Sequence, residues 1–114
     1  MRKSSLKALE VQHLSAAREA PSGRSAHTLV GGQSSTLRQT LIALRGGEAL
    51  NEHENPGEAT VQVLHGRVRL ATQETYCDGE PGDLLVVPDA RHTLTAHDDA
   101  VVLLTVAKLA VGPR

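Results

Sequence analysis

The sequence predicts an all-β protein, a double-sheet jelly-roll barrel (a double-stranded β-helix) behind one short N-terminal α-helix. Three observations predict it. From His27 onward, short runs of β-type composition replace any helical period. Clusters rich in Gly, Pro and Asp, such as G-G-Q, D-G-E-P-G, P-D-A-R and H-D-D, separate those runs. Their number, about eight to ten, suits two packed antiparallel sheets better than a parallel α/β arrangement.

The elements follow in order. Ser4 to Ala20 sets Leu6, Leu9, His13 or Leu14, and Ala17 at helical spacing, with Ser4 or Ser5 as N-cap and Pro21 beyond the end. The stripe is narrow, so this helix lies against the main body or reaches to a partner subunit, with His13 packed or half-exposed. Residues 1–25 form this helix and its linker, and residues 26–114 the barrel. A-H-T-L-V opens the strands, and Leu37 to Arg45 follows with apolar side chains on both faces. That is more than a small barrel encloses, so it predicts a homodimer interface. In V-Q-V-L-H-G-R-V-R-L, alternation sets Val61, Val63 and His65 on one dry face, and Val68 and Leu70 resume it after a turn or bulge at Gly66. E-T-Y-C, D-L-L-V-V and H-T-L-T-A come next. Ala100 to Val106 is almost continuously apolar, as a strand covered on both faces should be.

Composition narrows the function. At 114 residues the chain fits one domain able to bury a core without disulfides. A net charge of −1 provides no field for phosphate backbones or anionic lipid, and an aromatic content of 1% removes the stacking platforms of single-strand binders. Nucleic acid and membrane are therefore not expected as partners, and the core must be aliphatic. The lone Cys77 reads as a free thiol in a reducing compartment, and no secretory h-region or spanning run is present, so a cytoplasmic location is expected. Arg38, Arg45, Arg67 and Arg69 read as exposed strand residues, and Glu48, Glu52 and Glu54 as a solvated rim.

Two stretches carry the chemistry, Gly47 to Gly66 and Gly82 to His92. Each delivers a histidine beside a turn: His53 before Pro56-Gly57, and His92 after Pro88. Together they resemble the two motifs of the cupin superfamily, small jelly-roll barrels that hold a metal or ligand in the barrel mouth. Gly47, His53 and Gly66 stand where the first motif requires them. Asn55 replaces its second histidine, Ala59 occupies its glutamate position, and Glu58 comes one residue early. In the second motif Gly82 and Pro88 match, Ala90 replaces a glycine, His92 arrives one residue early, and Ala96 stands near the asparagine.

The resemblance implies a pocket at the barrel mouth formed by His53, Asn55 and His92, with Arg91 as a rim donor. The family site uses three imidazoles and a carboxylate to hold a divalent first-row metal with open positions. Here His53 and His92 are the retained metal ligands, so iron, manganese, nickel or zinc would be weakly held or absent, with Glu52, Glu58 or His65 as replacement ligands. The expected function is a barrel that binds a small molecule or a labile metal, in a non-catalytic or sensory role. The alternatives are a metal-dependent dioxygenase, isomerase or decarboxylase acting on a small polar substrate, and a dimeric scaffold without ligand.

Overall fold

The computed structural model describes residues 1–52 and 57–108. Helix α1 spans Leu6–Glu19, and nine strands follow: β1 Arg24–Val30, β2 Leu37–Leu44, β3 Ala49–Glu52, β4 Gly57–His65, β5 Val68–Ala71, β6 Tyr76–Gly79, β7 Leu84–Val86, β8 His92–Ala96 and β9 Ala100–Lys108. They form a five-stranded sheet, β1-β2-β9-β4-β7, facing a four-stranded sheet, β3-β8-β5-β6. Every strand pairing is antiparallel. This is the all-β jelly roll with one short helix that the run lengths and turn residues predict.

Strand alternation builds the core. Val61 and Val63 of β4, Val68 and Leu70 of β5, Leu85 of β7, Leu94 and Ala96 of β8, and Val102 and Val106 of β9 meet between the sheets as one aliphatic cluster. Strands β2 and β9 are apolar on their other face too. Leu41 and Ala43 pair with Leu103 and Val101 in register, and Leu41, Ala43 and Val101 pack with Leu14 and Ala17 of α1 in a second cluster. The surplus apolar face of Leu37 to Arg45, read from the sequence as a subunit interface, is thus largely covered by the chain's own helix. Covering a fully buried leucine contributes roughly 2 kcal/mol.

The helix is capped at its N-terminus and fastened to the barrel at its C-terminal end. Ser5 is the N-cap, its side chain accepting from the Ala8 amide at 3.2 Å. At the C-terminal end, Arg45 Nη1 donates to the carbonyls of Arg18 and Ala20, both at 3.3 Å, which satisfies oxygens the helix leaves unpaired. Arg18 Nε donates to Asp99 Oδ2 at 2.6 Å, and the other Asp99 oxygen accepts from the Gly46 amide at 2.8 Å. The Arg18 guanidinium, then the Gly46 amide, hold the Asp99 carboxyl below its ordinary range. Of the arginines read as exposed strand residues, Arg45 instead caps the helix. Arg69 grips Asp78 with two hydrogen bonds of 2.7 and 3.0 Å on the outside of the second sheet.

Gly66 turns β4 into β5 with φ of +73°, and a Cβ there would overlap the Asp99 carbonyl oxygen. Gly47 has φ of +94° with open space around it. Gly47→Ala is expected to cost about 1 kcal/mol through backbone strain alone, whereas Gly66→Ala should cost about 3 kcal/mol or more because strain and overlap add. Urea denaturation of both variants measures the difference.

Asp99→Asn tests the helix latch. A carboxyl whose folded pKa is depressed stabilises above its unfolded pKa and loses that contribution as pH falls through the folded value. The substitution is expected to cost about 1 kcal/mol at pH 7, since Arg18 is half exposed, and the gap from wild type should close as pH falls below about 4. Denaturation midpoints measured from pH 7 to pH 2.5 check the sign.

Candidate functional site

His92 opens β8, and the alternation of that strand turns His92, Leu94 and Ala96 inward while Thr93 and Thr95 are part-exposed. It is the buried polar side chain among the described core residues, 7% exposed. The rest of the cavity it lines is aliphatic: Ile42, Leu50, Val61, Leu70, Val87, Leu94, Val102 and Leu104. The cavity measures about 20 Å³, room for about one water molecule.

The histidine is held in one orientation. Its Nδ1 lies 2.9 Å from the Ala90 carbonyl oxygen, two residues back. A carbonyl only accepts, so Nδ1 carries the proton, and in the neutral form of the ring the lone pair is at Nε2. Backbone carbonyls orient metal-ligating and base histidines in the same way. The local cause is the P-D-A-R turn, in which the Ala90 amide donates to the Pro88 carbonyl at 2.9 Å and the Ala90 carbonyl comes under the ring.

Arg91, the neighbouring residue, is exposed. It lines a groove of about 300 Å³ outside the barrel together with Asn51, Ala71, Thr72, Gln73 and Thr93, and His92 lines this groove as well as the interior cavity. Asn51 is fixed there, its Oδ1 accepting from Thr93 Oγ1 at 3.2 Å. Asn51 and Gln73 are polar wall residues that no sequence motif singled out; the register of β3 against β8, Asn51 opposite Thr93, brings the first of them in.

His53 and Asn55 lie outside the described residues. Glu52, the residue before His53, is the register partner of His92. Ala59 is buried in the core and Glu58 is exposed, the one-residue shift having the consequence that strand alternation requires. His65 does not share the dry face of Val61 and Val63. The β4–β9 register shifts between Val63 and His65, a bulge that turns the chain and leaves His65 3.5 Å from Glu10 of the helix. Of the three replacement ligands, only Glu52 therefore remains on the chain beside His92. Among the described residues no group of three His, Cys, Asp or Glu side chains is placed to hold a metal ion. The described part of the site thus provides one imidazole and does not by itself make a metal shell.

No family profile matches the sequence, and no curated protein matches it. Solved structures do. A protein of unknown function from Streptococcus pyogenes superposes with a TM-score of 0.71 at 27% identity, over 81% of this chain and 80% of that one. A cupin superfamily protein from Desulfitobacterium hafniense gives 0.65 at 21% identity, over 75% and 79%. A cupin 2 conserved barrel domain protein from Salinispora arenicola gives 0.66 at 14% identity, over 92% and 87%. The chain has the cupin fold. Part of a transcriptional regulator of the HTH_3 family from Vibrio cholerae is also similar, with a TM-score of 0.65 at 21% identity over 80% of this chain and 52% of that one. In this cupin barrel, as in the sequence motifs, Gly82 makes the turn into β7 with φ of +96°. No described helix is long and apolar enough to cross a membrane.

The tautomer is directly measurable. Nitrogen-15 shifts of the His92 ring are expected to show a protonated Nδ1 and a bare Nε2 in the neutral form, and the reverse pattern would remove the Ala90 carbonyl as its orienting partner.

Proposed function

We propose that this cupin barrel is a non-catalytic, sensory binding protein that takes a small polar molecule at the barrel mouth. The observation that supports it is His92, whose ring is oriented by the Ala90 carbonyl and which lines both the aliphatic cavity and the groove of Arg91. Nε2 accepts from a hydroxyl, Arg91 donates to an acidic or carbonyl oxygen, and Asn51 and Gln73 add neutral contacts. A small hydroxy acid combines those two groups. His53 and Asn55 would complete the rim, as the motif resemblance implies. A likeness to half of a transcriptional regulator supports a sensory role.

A labile divalent ion, whether iron, manganese, nickel or zinc, is the second form of the same reading, held by His92 with His53. A single imidazole on the described side of the site favours weak binding over a resident catalytic metal. The protein works as a cytoplasmic homodimer in this reading. Leu84 and Val86 of edge strand β7, 61% and 74% exposed, are the apolar surface that supports self-association.

Metal analysis of purified protein and thermal unfolding with lactate, Zn²⁺ or Ni²⁺ test the reading. Ligand at a hundredfold excess over its Kd should add about 2.7 kcal/mol of stability. His92→Ala should abolish that gain while the β-sheet circular dichroism persists, and Arg91→Gln should weaken lactate alone. Stoichiometric metal that resists chelator would select a metal-dependent enzyme instead, and no response to any probe would select a scaffold. Light scattering showing a monomer at micromolar concentration would remove the dimer.

A further inference from the structure

Helix α1 covers only part of the outer face of the five-stranded sheet. Beyond its first turn, a groove of about 770 Å³ separates residues Arg2 to Ser4 from the strands, within the size range of small-molecule sites and far larger than the interior cavity. Its apolar lining is Leu6 from the helix, Leu29 and Val30 from β1 and Leu103 from β9. Of the two neutral polar lining residues, Ser4 and Gln39, Gln39 is already engaged, its Nε2 donating to Thr105 Oγ1 at 3.2 Å. The charged lining residues are Arg2 and Lys3, with no acidic residue beside them. The first turn of α1 likewise carries no acidic side chain to neutralise them. Arg2 Nη2 donates to the Leu29 carbonyl at 3.4 Å, which holds the guanidinium across the groove and leaves its other N–H groups for a ligand.

We propose that this groove binds a free amphipathic carboxylate, a medium-chain fatty acid in chemical class, with its head on Arg2 and Lys3 and its alkyl chain along Leu6, Leu29, Val30 and Leu103. Charge complementarity selects the anion. An unopposed cationic pair gains from a carboxylate, whereas a neutral amphiphile leaves both cations unmatched. The aliphatic lining selects the chain, because a groove without aromatic side chains rewards flexible methylenes, each contributing about 0.8 kcal/mol when buried. This site is separate from the His92 mouth and shares no residue with it.

Methyl NMR of the full chain, with any purification tag at the C-terminus, tests it against decanoate below its micelle concentration, decanol, and vesicles of anionic phospholipid. Decanoate is expected to shift the methyls of Leu6, Leu29, Val30 and Leu103 saturably and to bind more tightly than decanol. Replacing Arg2→Gln and Lys3→Gln together should weaken decanoate about three- to tenfold, the scale of one or two partly exposed charge contacts, and leave decanol unchanged. His92→Ala should leave decanoate binding intact, which keeps this result independent of the mouth site. Equal binding of decanol and decanoate, indifference to the double substitution, shifts confined to other residues, or binding to vesicles without binding of monomeric decanoate would each overturn the proposal.

Discussion

The structure depends on one constraint: β9 and β2 run side by side in the middle of the larger sheet and are apolar on both faces. Val102 and Val106 face the barrel interior, while Val101 faces out together with Leu41 and Ala43. A sheet of that composition needs two covers. The four-stranded sheet is one and α1 is the other, so the N-terminal helix is a layer of the fold rather than an appendage. Removing it would expose Leu41, Ala43 and Val101, three residues with no accessible surface.

The fold was legible because its signals are local. Glycines, prolines and aspartates punctuate the strands, alternation marks the dry faces, and Ser5 and Pro21 bracket the helix. What stayed illegible is what depends on contacts distant in sequence. Nothing near Arg45 in the chain shows that it caps a helix ending at Glu19, and nothing near Asp99 shows that it joins Arg18 to Gly46. His65 was misread for a related reason: a bulge is set by the partner strand, and strict alternation has no means of registering it.

Of the candidate site, the inward placement of His92 was legible in the sequence and its surroundings were not. His92 stands one residue early against the family motif, yet the Ala90 carbonyl fixes its ring and the strand turns it inward. Arg91 ends the turn just before β8 and is exposed there. Asn51 and Gln73 could be found only from the pairing of β3, β5 and β8. The lost carboxylate is also readable in the sequence, as Ala59 stands at the motif's glutamate position and is buried in the aliphatic core cluster.

The fastening of α1 is lopsided. Its C-terminal end is joined to the barrel by Arg45, Arg18 and Asp99 and its middle by His13 on Ser25 and Glu10 on His65, while the first turn is held by Leu6 and Leu9 packing and one long hydrogen bond from Arg2. A rod fixed in this way behaves as a hinged shutter. Opening from the Leu6 end would uncover the sheet from one side and would have to break the Glu10 and His13 contacts before reaching the pivot at Arg18. Such undocking needs no melting of the helix and would leave its internal hydrogen bonds in place.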